Sequence, residues 1–372
     1  MLNAATSGEF QVSTWSRVGG PSSINVKGTG AAINGSGDVV GAGDVSGSDV
    51  QAFLWQSTAP VQWLGSLGGN LSAATGINSA GTVVGMSYTS ANMQHAFLWT
   101  MAGGMQDLTP GLTSIGGSSA MGINSGNEVV GYYFPNGSRN TMGFTWTQAG
   151  GLENLGAAGT LVFAVNDWGT VVGETPVANG SKHAFSWTQT GGMVDLGALG
   201  GSGSSALSIN SKGLIVGTFL PKGNALAHGF LWTPLGGMQD LSVLAHLSKS
   251  EQVSSAHIND SGVVAIATNK GGYILVPKLT ATSKSSANPA EVGQPVTFTA
   301  TFMSITGTPP DGETVQFVIG GKVLGTVALT SGVAEFTTSA LSVGGHSVVA
   351  SYPGDANFLP AKSHTLKQVV SK

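Results

Sequence analysis

The chain has 372 residues, of which 9% are charged, with 58 glycines, no cysteine and a net charge of −4. An average globular domain carries roughly 25% charged residues and about half this share of glycine, so the polar surface must come from Ser, Thr, Asn and Gln. Disulfides and thiolate metal sites are excluded, and with two arginines, Arg17 and Arg139, and no basic cluster, nucleic acid is a poor partner.

No apolar run reaches the ~20 residues that a membrane helix needs, so no membrane insertion is expected. Met1–Ala5 lacks the basic and apolar regions of a signal peptide; an exported form is expected to have its leader outside this sequence. Hydrophobic residues, 41% of the chain, interleave with glycine at short intervals. That pattern favours many short strands joined by Gly-rich turns over disorder.

A unit then recurs six times. An Ile-Asn or Val-Asn pair ends at Asn34, Asn78, Asn124, Asn166, Asn210 and Asn259, with spacings of 44, 46, 42, 44 and 49 residues. Five residues on comes an apolar pair, usually Val-Val-Gly, as at Val83-Val84-Gly85. An aromatic run ending in Trp follows, such as HAFLW at 95–99, then a Gly-Gly turn and a short run such as MQDL at 105–108. Each copy reads as four short strands, a to d. Between a and b, the Asn side chain can bond its own backbone two residues on, and a Gly three later accepts positive φ. Copy 3 has Asn127 there, the next best residue for the left-handed region. Alternation along HAFLW puts Phe97 on one face of the strand and Ala96 and Leu98 on the other.

Four antiparallel strands in about 44 residues is the size of a propeller blade. The expected fold is all-β: a six-bladed β-propeller over residues 9–277, closed by an N-terminal strand, followed by an Ig-like β-sandwich over 279–370. Small residues flanking strand a (Ala31-Ala32, Ala73-Ala74, Ser205-Ala206) fit crowding near a central axis. Trp15–Ile24 aligns without gaps to Trp99–Leu108, so one c-like segment is surplus, either 11–15 or 272–276. An open stack of repeats is the alternative.

The words His95-Ala96-Phe97, His183-Ala184-Phe185 and Asp195-Leu196-Gly197-Ala198-Leu199-Gly200-Gly201, over roughly residues 10–277, resemble the bacterial extracellular repeats of the HAF family. Gln51, Met142 and Gly271 depart from its histidine. The resemblance implies export and surface exposure, with no agreed reaction. Residues 279–372 resemble a bacterial Ig-like domain through Gly293–Ala300, Val315-Gln316-Phe317, Gly345–Val348 and Tyr352–Phe358. Such modules act as spacers or adhesive units, and the short link from Pro277 to Leu279 rules out free swinging.

Candidate chemistry is sparse. His95, His183 and His228 share one repeat position on strand c, on different blades, so a hydrogen-bonding role is expected and a shared metal is not. Asp107, Asp195 and Asp240 recur on strand d and are expected to satisfy turn backbone. No catalytic residue and no cofactor is assigned. The copies differ most in their b–c and d–a loops, which share one face of an antiparallel blade. Tyr88, Tyr132, Tyr133, Phe134, Arg139 and Phe219 lie in the b–c loops and are the candidate ligand-binding residues. The expected function is non-catalytic: a monomeric extracellular or cell-surface recognition or adhesion module for a glycan, peptide or other surface polymer. The alternatives are a structural matrix protein, or a secreted hydrolase or lyase with carboxylates meeting at the axis.

Overall fold

In a computed structural model of the chain, the residues described are 10–14, 26–45, 49–113, 117–223, 225–355 and 357–372. Copy 2 shows the unit in full: strand a is Gly68–Ile77, b Val83–Thr89, c Gln94–Thr100 and d Gly104–Asp107, hydrogen-bonded in that order. Copies 3, 4 and 5 repeat the same four-stranded order over 118–155, 161–197 and 203–240. Copy 1 (28–63) has a short d strand, and its sheet is joined to that of copy 2 by one parallel strand pair, Val50 with Leu71. Phe10–Thr14 pairs antiparallel with Gly271–Pro277 and is the fourth strand of copy 6. Both c-like segments are therefore used, 272–276 third from the axis and 11–14 outermost. The Trp15–Ile24 segment itself lies outside the described residues.

The turns form for the reasons their residues dictate. Asn78 Oδ1 accepts from the amides of Ala80 (3.1 Å) and Thr82 (3.0 Å), and Gly81 sits at φ +79°. Asn127 takes φ +60° in copy 3. Each Asn also does something that its own copy does not reveal. Its Nδ2 donates to the carbonyl of the Asn one copy on: Asn34 to Asn78 (3.2 Å), Asn78 to Asn124 (3.0 Å), Asn124 to Asn166 (3.1 Å), Asn166 to Asn210 (3.1 Å) and Asn210 to Asn259 (2.9 Å). One residue type thus shapes the turn and stitches neighbouring copies.

Packing between copies follows the period-two pattern. Phe97 and Trp99 face copy 1, joining Val40 and Leu54, whereas Ala96 and Leu98 face copy 3, joining Ala120 and Val129. The equivalent Phe53, Phe97, Phe144, Phe185 and Phe230 are at most 2% exposed, each contributing about 1.5–3 kcal/mol of burial. The Gly of Val-Val-Gly makes room for them. A Cβ on Gly85 would lie 2.0 Å from the Ala73 carbonyl oxygen and 2.9 Å from the Phe97 ring.

The six a strands converge on one opening of about 690 Å³. A bulge interrupts strand a in copies 1 to 5, as between Ala74 and Gly76. The residues it inserts, Ala31, Thr75, Met121, Phe163 and Leu207, line the opening. The axis is therefore not walled by small residues alone, because in copies 2 to 5 bulging turns a larger side chain inward. Between copies 6 and 1 the stitching differs. Ile33 on strand a of copy 1 is 68% exposed, against 9% or less for Ile77, Ile209 and Ile258. Among the described residues the asparagine ladder does not return from Asn259 to Asn34.

Residues 280–371 form two sheets around a separate core in which Phe298, Phe302, Phe317, Tyr352 and Phe358 are at most 1% exposed. Among the described residues no helix is long and apolar enough to cross a membrane. The single α-helical turn among them, Leu241–Leu244, is capped by Asp240, whose carboxylate accepts from the Val243 amide.

Candidate functional site

Antiparallel order places the a–b and c–d turns on one face and the b–c and d–a loops on the other. On the loop face, between copies 2 and 3, lies an open cleft of about 460 Å³. Its walls are the d–a loop of copy 2, with Leu108, Pro110 and Leu112, and the b–c side of copy 3, with Tyr133 and Pro135; Leu152 on strand d also contributes. Asn136 joins the two walls, its Oδ1 accepting from the Thr113 amide at 2.8 Å.

A histidine–aspartate pair holds the first wall. His95 is 5% exposed. Its Nδ1 lies 2.7 Å from Asp107 Oδ2 and its Nε2 lies 3.1 Å from the Leu112 carbonyl oxygen. The ring thus bridges strand d and the d–a loop through its two nitrogens. The other carboxylate oxygen of Asp107 accepts from the Thr109 amide (2.8 Å), and Thr109 Oγ1 meets Ser118 Oγ at 2.7 Å. Ser118 in turn accepts from the Ala96 amide at 2.8 Å, tying copy 3 to strand c of copy 2. The wall is thus fixed by side chains from strands c, d and the next a.

The same pairing occurs at His183–Asp195 (3.0 Å) and His228–Asp240 (2.8 Å). The expected turn role of the aspartates holds as well, since Asp195 Oδ1 accepts from the Gly197 amide at 2.8 Å. Sequence reasoning treated the two residues separately. The available signal was that His and Asp, twelve positions apart, occur together in copies 2, 4 and 5 and are both missing from copies 1 and 3.

The six candidate residues do not converge. Tyr133 lines the cleft, and its hydroxyl donates to Asn154 Oδ1 at 2.9 Å. Tyr132 points to the other side of the strand and meets Phe134 edge-on, ring centroids 6.3 Å apart. Arg139 is exposed further out in the same loop, and Tyr88 is half-buried against Gly69 of its own copy. Phe219 lies in strand b and is 4% exposed, edge-on to His228. It borders a smaller cavity of about 260 Å³ between copies 4 and 5, beside the Lys182–Glu174 ion pair (2.8 Å). Phe219 holds the strand position of Tyr133 but is buried there. With Tyr88, Tyr132 and Tyr133 it lies within strand b and not in the b–c loops expected from the sequence, because pairing with strand c continues past the expected loop start.

At the axis, His257 stands where copies 1 to 5 have Ala32, Gly76, Gly122, Ala164 and Ser208. The ring is accessible from the opening, but the walls strip part of its hydration and lower its pKa from 6.5. The described lining of this opening includes no Asp or Glu. Among the described residues no group of three His, Asp or Glu side chains is placed to share a metal ion. Trp168, which sequence reasoning passed over, is 79% exposed on the turn face, its Nε1 donating to the Ser211 carbonyl at 2.9 Å.

Residues 280–371 match the family model of the bacterial Ig-like domain (group 3), so the C-terminal segment is such a domain. The comparison with curated proteins returns no match. Among solved structures, TolB from Acinetobacter baumannii is similar at 13% identity and a TM-score of 0.43, covering 65% of this chain and 63% of its own. The chain thus spans less than two thirds of TolB. AofleA from Arthrobotrys oligospora aligns at 10% identity over 91% of this chain and 94% of its own, with a TM-score of 0.35. A calcium-stabilised, ice-binding adhesin of an Antarctic bacterium aligns at 14% identity over 91% and 96%, with a TM-score of 0.19. Likenesses this distant leave function to be argued from the chain's own residues.

Proposed function

We propose that the protein is a non-catalytic extracellular recognition module that binds a surface polymer in the cleft between copies 2 and 3. The observation that carries this reading is a cleft built from the most variable loops yet held by a buried side-chain network. Rigid walls lower the ordering cost of binding, and an apolar lining with a few polar groups at its rim suits a ligand site. Leucine and proline walls beside Tyr133 favour apolar side chains of an extended peptide over a sugar face. The resemblance of residues 10–277 to HAF-type repeats and the Ig-like domain beside them support an extracellular setting.

The repeats are further proposed to close into a six-bladed propeller by seating strand a of copy 1 against copy 6. The N-terminal strand in the sixth sheet supports closure, because it already ties the two ends of the array together. The protein is expected to act as a monomer, and Tyr88, Tyr132, Phe134 and Arg139 to border the ligand outside the cleft. A combined peptide and glycan array probed with the full chain tests the reading. Peptide hits that disappear with Tyr133→Ala are expected. Glycan hits alone would move the ligand class, and no hit at all would favour a structural surface protein.

A further inference from the structure

The turn face carries one exception to its own pattern. The residue just before strand b is polar in copies 1 to 4 (Asp38, Thr82, Glu128, Thr170) and apolar in copies 5 and 6 (Leu214, Val263). At that place the Ig-like domain touches the repeats. Its loop Ser304–Gly307 brings Ile305 against the core cluster of copies 5 and 6, which contains Leu214, Ile258 and Val264. Thr306 is 2% exposed. Gly262 in the a–b turn of copy 6 is buried, and a Cβ there would lie 2.3 Å from the Thr306 side chain. The same Cβ on Gly37, Gly81 or Gly213 would meet nothing within 4 Å. Gly307 lies beside the Lys212 ammonium, 3.3 Å from where its own Cβ would stand.

We propose that copies 5 and 6 carry a docking surface for the chain's own Ig-like domain, and that the loop Ser304–Gly307 locks the two as one body. The chain crosses between them only once, through Lys278 and Leu279. Leu279 is itself 7% exposed in the Ig-like core. A two-residue link and a second, buried contact leave no hinge between the parts. The turn face is thereby assigned to internal docking, and the loop face with its cleft points away from the Ig-like domain. A displayed module needs that arrangement, and the docking stands whether or not the cleft binds a peptide.

The absence of cysteine makes the test direct. Spin labels on Glu153→Cys and Lys322→Cys of the full chain report the distance between the two parts. A single narrow distribution is expected. It should broaden at least twofold with Thr306→Arg, and likewise with Leu214→Ser, which restores a polar residue from the repeat side. Circular dichroism verifies that each variant keeps its strand content. A broad distribution in the unmodified chain, or one that neither variant changes, would overturn the proposal.

Discussion

Asn78→Ala tests the claim that one side chain both shapes a turn and joins two copies. Asn78 is 5% exposed and makes four hydrogen bonds: Oδ1 accepts from Ala80 and Thr82 (3.1 and 3.0 Å), and Nδ2 donates to the Asn124 carbonyl and Asn127 Oδ1 (3.0 and 2.8 Å). At about 0.5–1.5 kcal/mol net for each bond, and with the buried Thr82 amide left unpaired, the loss should be about 3–5 kcal/mol. Asn34 makes the equivalent bonds in copy 1, where Ser36 is exposed. Water can replace its partners there, so Asn34→Ala should cost only about 1 kcal/mol. All eight tryptophans lie before residue 233. Urea unfolding followed by tryptophan fluorescence therefore reports on the repeats and not on the Ig-like domain. A lower midpoint at unchanged slope gives the stability change. A cost below about 1 kcal/mol for Asn78→Ala, or equal costs for the two variants, would refute the stitching role.

Three further outcomes follow from the same structure. His95→Ala strands Asp107 and the Leu112 carbonyl, so amide exchange across 109–113 should speed up at least about tenfold, an opening cost of about 1.4 kcal/mol, with the amides of strand b serving as an unchanged reference. The Tyr352 hydroxyl is buried without a hydrogen-bond partner among the described residues, and burial pushes its pKa well above the ordinary phenol value. Tyr352→Phe should leave the calorimetric melting temperature of the Ig-like domain the same or higher, because it removes an unpaid desolvation; a clear decrease would contradict this. For His257, the folded pKa is below the unfolded value of 6.5, so the unfolded chain takes up the proton first as pH falls. Its neutral form should favour folding above 6.5, and stability should decline as pH drops through 6.5 toward the folded value. Comparing urea midpoints of the wild type and His257→Gln across that range checks the sign.

Particular residues show how far the sequence could be read. The Asn–Gly turns, the alternation in HAFLW and the Gly-Gly hairpins were legible because each depends on neighbours within a few positions. Asn127 at φ +60° is the clearest instance, an exception in the pattern that obeys the same backbone rule. The asparagine ladder was not legible, because its acceptor lies 44 residues away on a copy whose placement no local pattern dictates. The His95–Asp107 bond depends on the c–d register, and only the joint occurrence of the two residues hinted at it. Phe219 was misplaced because strand b of copy 5 runs to Leu220, three residues into the expected loop, enough to put an aromatic ring in the core instead of on the surface. The seam at Ile33 has no sequence signal, since Ile33 carries the same motif as the buried Ile77.

Recognition on the loop face is tested most directly by a titration with the strongest array ligand. Tyr133→Ala should weaken binding at least about tenfold, the loss of about 1.4 kcal/mol, while Trp168→Ala on the turn face should leave it unchanged. Binding that survives Tyr133→Ala and is lost with Trp168→Ala would place the ligand on the opposite face and contradict the account.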